Sequence, residues 1–106
     1  MPKTYSKDFI DAVNADMSDS AGVYLAKVCV EAKLPAAFVA KTLGVSRMTL
    51  YSWFRGGEIR WRNSLLAEAL ADQISKDLKA GVLLPAKSMQ EARRYLENLG
   101  KTFHEE

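Results

Sequence analysis

The sequence predicts an all-α protein, a compact bundle of five to six short helices. Apolar side chains recur at spacings of three and four residues along most of the chain, which is the period of an amphipathic helix. Ser, Pro and Gly residues stand between these segments, where they suit helix caps and turns. The chain has 106 residues, 48% of them hydrophobic and 26% charged, as in an ordinary globular domain.

Two helices are predicted in the first third of the chain. The first covers residues 7–16, with Ser6 as its cap. Its apolar side consists of Phe9, Ile10, Val13 and Met17. Residues 18–20 form a polar break that offers several caps, and the second helix covers residues 21–33. Its apolar positions are Leu25, Val28, Cys29 and Ala32.

Residues 35–55 predict two further helices joined by a tight turn. Pro35 suits the first position of a helix, where its missing N–H would be unpaired anyway. Gly44 can take the left-handed conformation that ends a helix, and Ser46 can cap the next helix over residues 47–55. One face of this last helix carries Leu50, Trp53 and Phe54. The other face carries Arg47, Met48, Tyr51, Ser52 and Arg55.

This segment resembles the helix-turn-helix of phage-repressor and Cro-type (XRE-like) regulators. That pattern has a small residue in the first helix, a Gly four positions on, and apolar residues at set positions around them. The matching residues here are Val39, Ala40, Leu43, Gly44, Val45, Leu50 and Trp53. The resemblance implies a bundle centred on a helix-turn-helix, with the second motif helix in the major groove of DNA.

After Gly56 and Gly57, residues 58–63 place Trp61 between Arg60 and Arg62. We expect Trp61 in the core, filling the gap between helices, and the two arginines at phosphates. At the phosphates, the arginines would act as clamps beside the groove. The alternative for Trp61 makes it a stacking platform for single-stranded nucleic acid.

Two helices are predicted in the C-terminal half. The first covers residues 65–79, starts after Asn63 or Ser64, and ends at Gly81; in XRE-like folds it closes the domain. Its core stripe is Leu66, Leu70, Ile74 and Leu78. After a connector over residues 82–87, a capping box from Ser88 to Glu91 starts a helix over residues 89–99 that ends at Gly100.

The last helix carries an apolar stripe formed by Met89, Ala92, Leu96 and Leu99. This stripe either packs on its own molecule or forms a homodimer interface, and periodicity does not distinguish the two. We therefore divide the chain into a DNA-binding domain, residues 1–80, and a connector and helix, residues 81–106, for which dimerisation is the alternative.

The positive charge is concentrated on the motif. The whole chain has a net charge of +2, whereas residues 41–62 carry five cations against Glu58. The segments on either side are each slightly acidic. A basic patch on a nearly neutral body is typical of a nucleic-acid-binding face.

Other functional classes find little support. One Cys and one His, Cys29 and His104, cannot supply the four ligands of a zinc site. No Walker loop or GxGxxG motif is present, and we expect Asp72 and Asp77 on a solvated helix face. We therefore expect no enzymatic activity, metal or cofactor. The lone Cys29, with neither a signal peptide nor a membrane span, predicts the cytoplasm.

These observations predict a sequence-specific double-stranded DNA-binding protein, a small phage- or bacterial-type transcriptional regulator such as a repressor. Residues 46–55 would enter the major groove. The residues expected at base edges are Ser46, Arg47, Met48 and Tyr51. Those expected at phosphates are Lys41, Thr49, Ser52, Arg55, Arg60 and Arg62. The alternatives are a small-terminase-like DNA-packaging component and a protein-interaction module that keeps the fold without binding DNA.

Overall fold

The structure, a computed structural model, describes residues 5–16, 20–81 and 88–104 and has six helices and no strand in these ranges. In chain order the helices are α1 (Lys7–Ala15), α2 (Ala21–Ala32), α3 (Ala36–Leu43), α4 (Arg47–Phe54), α5 (Trp61–Lys79) and α6 (Met89–His104). The all-α prediction is confirmed. Three sequence predictions lie outside the described residues. They are the apolar role of Met17, the polar break at residues 18 and 19, and the connector over residues 82–87. None of the helices in these ranges is long and apolar enough to cross a membrane.

Serine hydroxyls cap four of these helices. At the starts of α1, α2, α4 and α6, a serine Oγ accepts a hydrogen bond from a backbone N–H two or three residues later. The four capping residues are Ser6, Ser20, Ser46 and Ser88. Pro35 differs slightly from its predicted place, because it is extended and precedes the first residue of α3. Its carbonyl accepts from the N–H groups of Phe38 and Val39.

The core lies around α2, which packs on α1, α4 and α5, while α3 packs on α4 and α6. The burial of the predicted apolar stripes is confirmed at the centre of this core. The buried members of those stripes are Val13, Leu25, Val28, Cys29, Ala32, Val39, Ala40, Leu50, Trp53, Phe54, Leu70, Ile74, Ala92 and Leu96.

The start of α5 differs from the prediction. The helix begins at Trp61 rather than near Leu65, directly after an extended Arg60 that makes no side-chain cap. On a helix with about 100° per residue, Trp61 then lies roughly 130° from the centre of the buried face of α5. The prediction that Trp61 belongs to the core is therefore wrong: 77% of its surface is exposed.

The end of α6 also differs. The helix passes through Gly100 and continues to His104. A glycine inside a helix costs only about 1 kcal/mol relative to alanine, which is too little to force an end. Ala92 and Leu96 are buried, and α6 packs on α3 of the same molecule. This part of the stripe is thus covered within the monomer, while homodimerisation stays a prediction.

Tyrosine hydroxyls join distant parts of the bundle. The hydroxyl of Tyr5 donates to the carbonyl of Leu34 at 2.6 Å. The hydroxyl of Tyr24 donates to Asp72 Oδ1 at 2.9 Å and thereby links α2 to α5. Asp77, which we expected to be solvated, is half-buried and accepts from Tyr95 of α6.

Candidate nucleic-acid interface

Gly44 forms the turn between α3 and α4. Its φ of 75° is left-handed, and its N–H donates to the carbonyl of Lys41 at 3.2 Å. The N–H of Val45 then donates to the carbonyl of Ala40 at 3.0 Å. These two bonds close the end of α3, and Ser46 starts α4 directly afterwards. The two predicted helices joined by a tight turn are therefore present.

The inner face of α4 lies in the core. Leu50, Trp53 and Phe54 are all buried, as the sequence predicts. Gly22, in the first turn of α2, lies directly against the backbone of Trp53: a Cβ at Gly22 would fall 2.2 Å from the Trp53 carbonyl oxygen. Nothing in the sequence indicates this contact, since the packing role of a helical glycine shows only once its neighbour is known.

The outer face of α4 is open to solvent. Met48 is 83% exposed, and Arg47, Thr49, Ser52 and Arg55 are exposed as well. At about 100° per residue, Met48, Ser52 and Arg55 fall within roughly 60° of one another, so they form the outermost ridge of the helix. This ridge is the part of the site that an approaching molecule meets first.

Tyr51 lies at the edge of this face and is half-buried. Its ring packs edge-on against Phe9 of α1 and Phe54, with centroids 5.6 and 5.8 Å apart. This aromatic cluster ties α1 to α4. The ring of Tyr51 therefore has a structural role, and its hydroxyl is the part that remains for the predicted base contact.

Ser46 and Thr49 share a hydrogen-bond pair at the start of α4. Ser46 Oγ accepts from the Thr49 N–H at 3.1 Å and donates to Thr49 Oγ1 at 2.9 Å. The two hydroxyls share one hydrogen bond, so one of their two protons remains for an external acceptor.

Five exposed cations lie on α4 and on the segments directly before and after it. They are Lys41, Arg47, Arg55, Arg60 and Arg62. None of them forms an ion pair with a residue that the structure describes, whereas Arg93 of α6 pairs with Glu97 at 3.5 Å. Unpaired guanidinium and ammonium groups are suited to phosphate oxygens. The predicted phosphate contacts are therefore available on the surface.

The described part of the chain shows no cluster of side chains that would form a metal site or activate a nucleophile. No three His, Cys, Asp or Glu residues there lie together as metal ligands would. Cys29 is completely buried, and burial raises the pKa of its thiol. What the α4 face offers instead is positive charge, hydroxyl donors and one apolar side chain.

No protein-family model, curated protein or solved structure matches this chain. The relation to XRE-like regulators stays a prediction from residues 35–55.

Proposed function

We propose that this protein binds double-stranded DNA sequence-specifically through the outer face of α4, as a small phage- or bacterial-type transcriptional regulator. The observation that carries the proposal is the contrast between the two faces of α4. One face is buried against α2 and α3, and the other is exposed, basic and without ion pairs to the described residues.

An α-helix presented in this way fits the major groove, which is about 12 Å wide. Arg47 can donate two parallel hydrogen bonds to a guanine, and Met48 can contact the methyl group of a thymine. The Thr49 hydroxyl and the Tyr51 hydroxyl supply further donors. The buried inner face fixes the backbone of α4, and with it the positions from which these side chains reach the groove.

Phosphate contacts come from the cations and hydroxyls around α4. We assign Lys41, Ser52 and Arg55 to the phosphates that border the groove, and Arg60 and Arg62 to those beyond the end of α4. The proposed compartment is the cytoplasm, in which a buried, lone Cys29 stays reduced.

A salt titration with duplex DNA tests this assignment. For Arg60→Ala, we expect weaker binding to all duplexes alike and a salt slope about one unit smaller, because one phosphate contact releases about one counterion. Lys76→Ala removes an exposed cation near the far end of α5 and serves as the matched control; it should leave the slope unchanged. An unchanged slope for Arg60→Ala would remove Arg60 from the interface.

The same experiment separates the alternatives. If the wild type does not bind DNA at low salt, the proposal is wrong and a protein-interaction module becomes the better hypothesis. If the protein binds DNA as a ring-sized assembly in light scattering, a packaging component is favoured. A dimer on a two-fold-symmetric site supports the regulator.

A further inference from the structure

Trp61 protrudes from the start of α5. It is 77% exposed, and Leu65, one turn later on the same face, is 50% exposed. Large apolar side chains are usually buried, and these two form an exposed apolar area that spans one turn of α5. We call Arg60, Trp61, Arg62 and Leu65 the Trp61 surface.

The charge on this surface indicates what kind of molecule it meets. Arg60 and Arg62 flank Trp61 in the chain, and both are exposed. Neither pairs with an acid in the described ranges, although Glu58 and Glu68 are close in the chain. A fitting ligand therefore carries negative charge and also has a flat apolar face for the indole.

The Trp61 surface of a second copy of this chain does not combine negative charge with a flat apolar face. Two Trp61 surfaces brought face to face would oppose four unpaired guanidinium groups, and such like-charge contacts are strongly unfavourable. Nucleic acid has both properties, because its phosphates are anionic and every base has a π-face that stacks on aromatic side chains.

Whether the nucleic acid is single- or double-stranded follows from whether the faces of its bases are accessible. In a duplex, the faces of the bases are stacked on one another, and an inserted side chain must first separate them at a cost in free energy. A single strand offers a base face without that cost. We propose that the Trp61 surface binds single-stranded DNA, with one base stacked on the indole and the flanking phosphates at Arg60 and Arg62.

The stacking residue, Trp61, lies on α5 and not on the outer face of α4, so this site adds a second activity to the proposed one. The choice of DNA over RNA rests on the proposed function. The duplex and the single strand would therefore occupy different parts of the same basic region, with phosphate contacts of Arg60 and Arg62 available to either.

The two tryptophans allow a direct test in the full-length protein. Trp53 is buried and Trp61 is exposed, so stacking of a base should quench Trp61 alone. The probe is a single strand of about 16 deoxythymidines, a length that covers one such site. We expect this strand to quench the wild-type emission and to leave the emission of Trp61→Phe, which retains Trp53, unchanged.

Affinity provides the second readout. Removing a stacked aromatic should weaken binding of the single strand about 5- to 150-fold in Trp61→Ala. Lys76→Ala, the matched control, should keep the quenching. Because Trp61 is exposed, Trp61→Ala should unfold at the same urea concentration as the wild type, so that lost binding reports on the site.

Four results would overturn the inference. They are equal affinity of Trp61→Ala and the wild type, quenching by duplex but not by the single strand, stronger binding of oligouridylate, and competition by polyglutamate as strong as that by the strand. Binding of the single strand without any duplex binding would refute the proposed function instead and leave this inference standing.

Discussion

At the scale of single residues, Gly22 and Trp53 determine how closely α2 and α4 approach. The backbone of α2 rests on the backbone carbonyl of Trp53, and this leaves no room for a side chain at Gly22. The position of α4, and with it the exposed face that we assign to DNA, depends on this contact.

Gly22→Ala should therefore destabilise the protein even though alanine is the better helix former. The added Cβ would lie 2.2 Å from the Trp53 oxygen, so α4 must shift. We expect a loss of about 1–3 kcal/mol, the usual cost of overpacking, measured by urea unfolding. An unchanged or higher midpoint would contradict the contact.

Gly44→Ala is the control for Gly22→Ala, because it replaces a glycine that has space for a Cβ. Nothing lies within 4 Å of a Cβ there, but the backbone has a φ of 75°. Its cost should be about 1–2 kcal/mol, from the left-handed conformation alone.

Single residues also show where the sequence was insufficient. The burial of Leu50, Trp53 and Phe54 was predictable, because helical periodicity alone places them on one face. The packing of Tyr51 on Phe9 was not, since it joins helices far apart in the chain. The exposure of Trp61 was missed because a hydrophobic side chain is assigned to the core by default. The arginines on both sides of it in the sequence were evidence that this stretch lies at the surface.

At the scale of helices, the starts of the serine-capped helices α1, α4 and α6 were predicted correctly, whereas the start of α5, which has no side-chain cap, was not. Ser6, Ser46 and Ser88 cap their helices as predicted. The start of α5 has no side-chain cap, so nothing in the sequence marked it, and the polar residues Asn63 and Ser64 suggested a later start.

Ser46 is the residue at which stability and binding can be separated. Ser46→Ala removes the cap of α4 and should cost about 1 kcal/mol of stability. Ser46→Asp keeps a capping oxygen but places a negative charge beside the groove, so it should retain stability and lose duplex binding.

Ser88→Ala removes the equivalent cap of α6 and is the matched control for Ser46→Ala. We expect a similar loss of stability with unchanged DNA binding. Urea unfolding and fluorescence anisotropy measure the two effects. Duplex binding by Ser46→Asp at the wild-type level would show that the start of α4 does not face DNA.

Helix α6 provides a further prediction, because Leu96 is buried in the core of its own molecule. Leu96→Ala should cost about 2–5 kcal/mol through the cavity it leaves. The unfolding midpoints of wild type and variant should not change when the protein is diluted. A midpoint that falls on dilution would show instead that a second copy covers α6.

At the scale of the whole molecule, the tyrosine hydroxyls should make the protein less stable at alkaline pH. Burial raises the pKa of Tyr5 and of Tyr95, and the hydrogen bond to Asp77 raises that of Tyr95 further. A raised pKa in the folded state means that the folded protein holds its proton more tightly than the unfolded chain.

The free energy of unfolding should therefore be constant near neutral pH and fall as the pH rises above about 10, the pKa of an unfolded tyrosine. Thermal unfolding between neutral pH and pH 11 would show this decline. Tyr5→Phe should be less stable at neutral pH, because the bond to Leu34 is lost, and should decline less steeply. An equally steep decline would mean that Tyr5 does not contribute.

The charge distribution connects the fold to the proposed function. The sequence places the positive charge in residues 41–62, and the fold leaves the side chains of its five cations exposed around α4 and the start of α5. The segments on either side are slightly acidic, so a polyanion would be drawn to this region rather than to the rest of the surface.

The central claim, that α4 reads DNA sequence, is tested most directly by selection from a randomised duplex pool at near-physiological salt, with wild type and Arg47→Ala in parallel. We expect the wild type to enrich one motif and Arg47→Ala to relax it at one base pair, with a loss of about 1–3 kcal/mol there. Equal enrichment by both proteins would remove Arg47 from the base edges. Binding of the wild type without any enriched motif would contradict the claim.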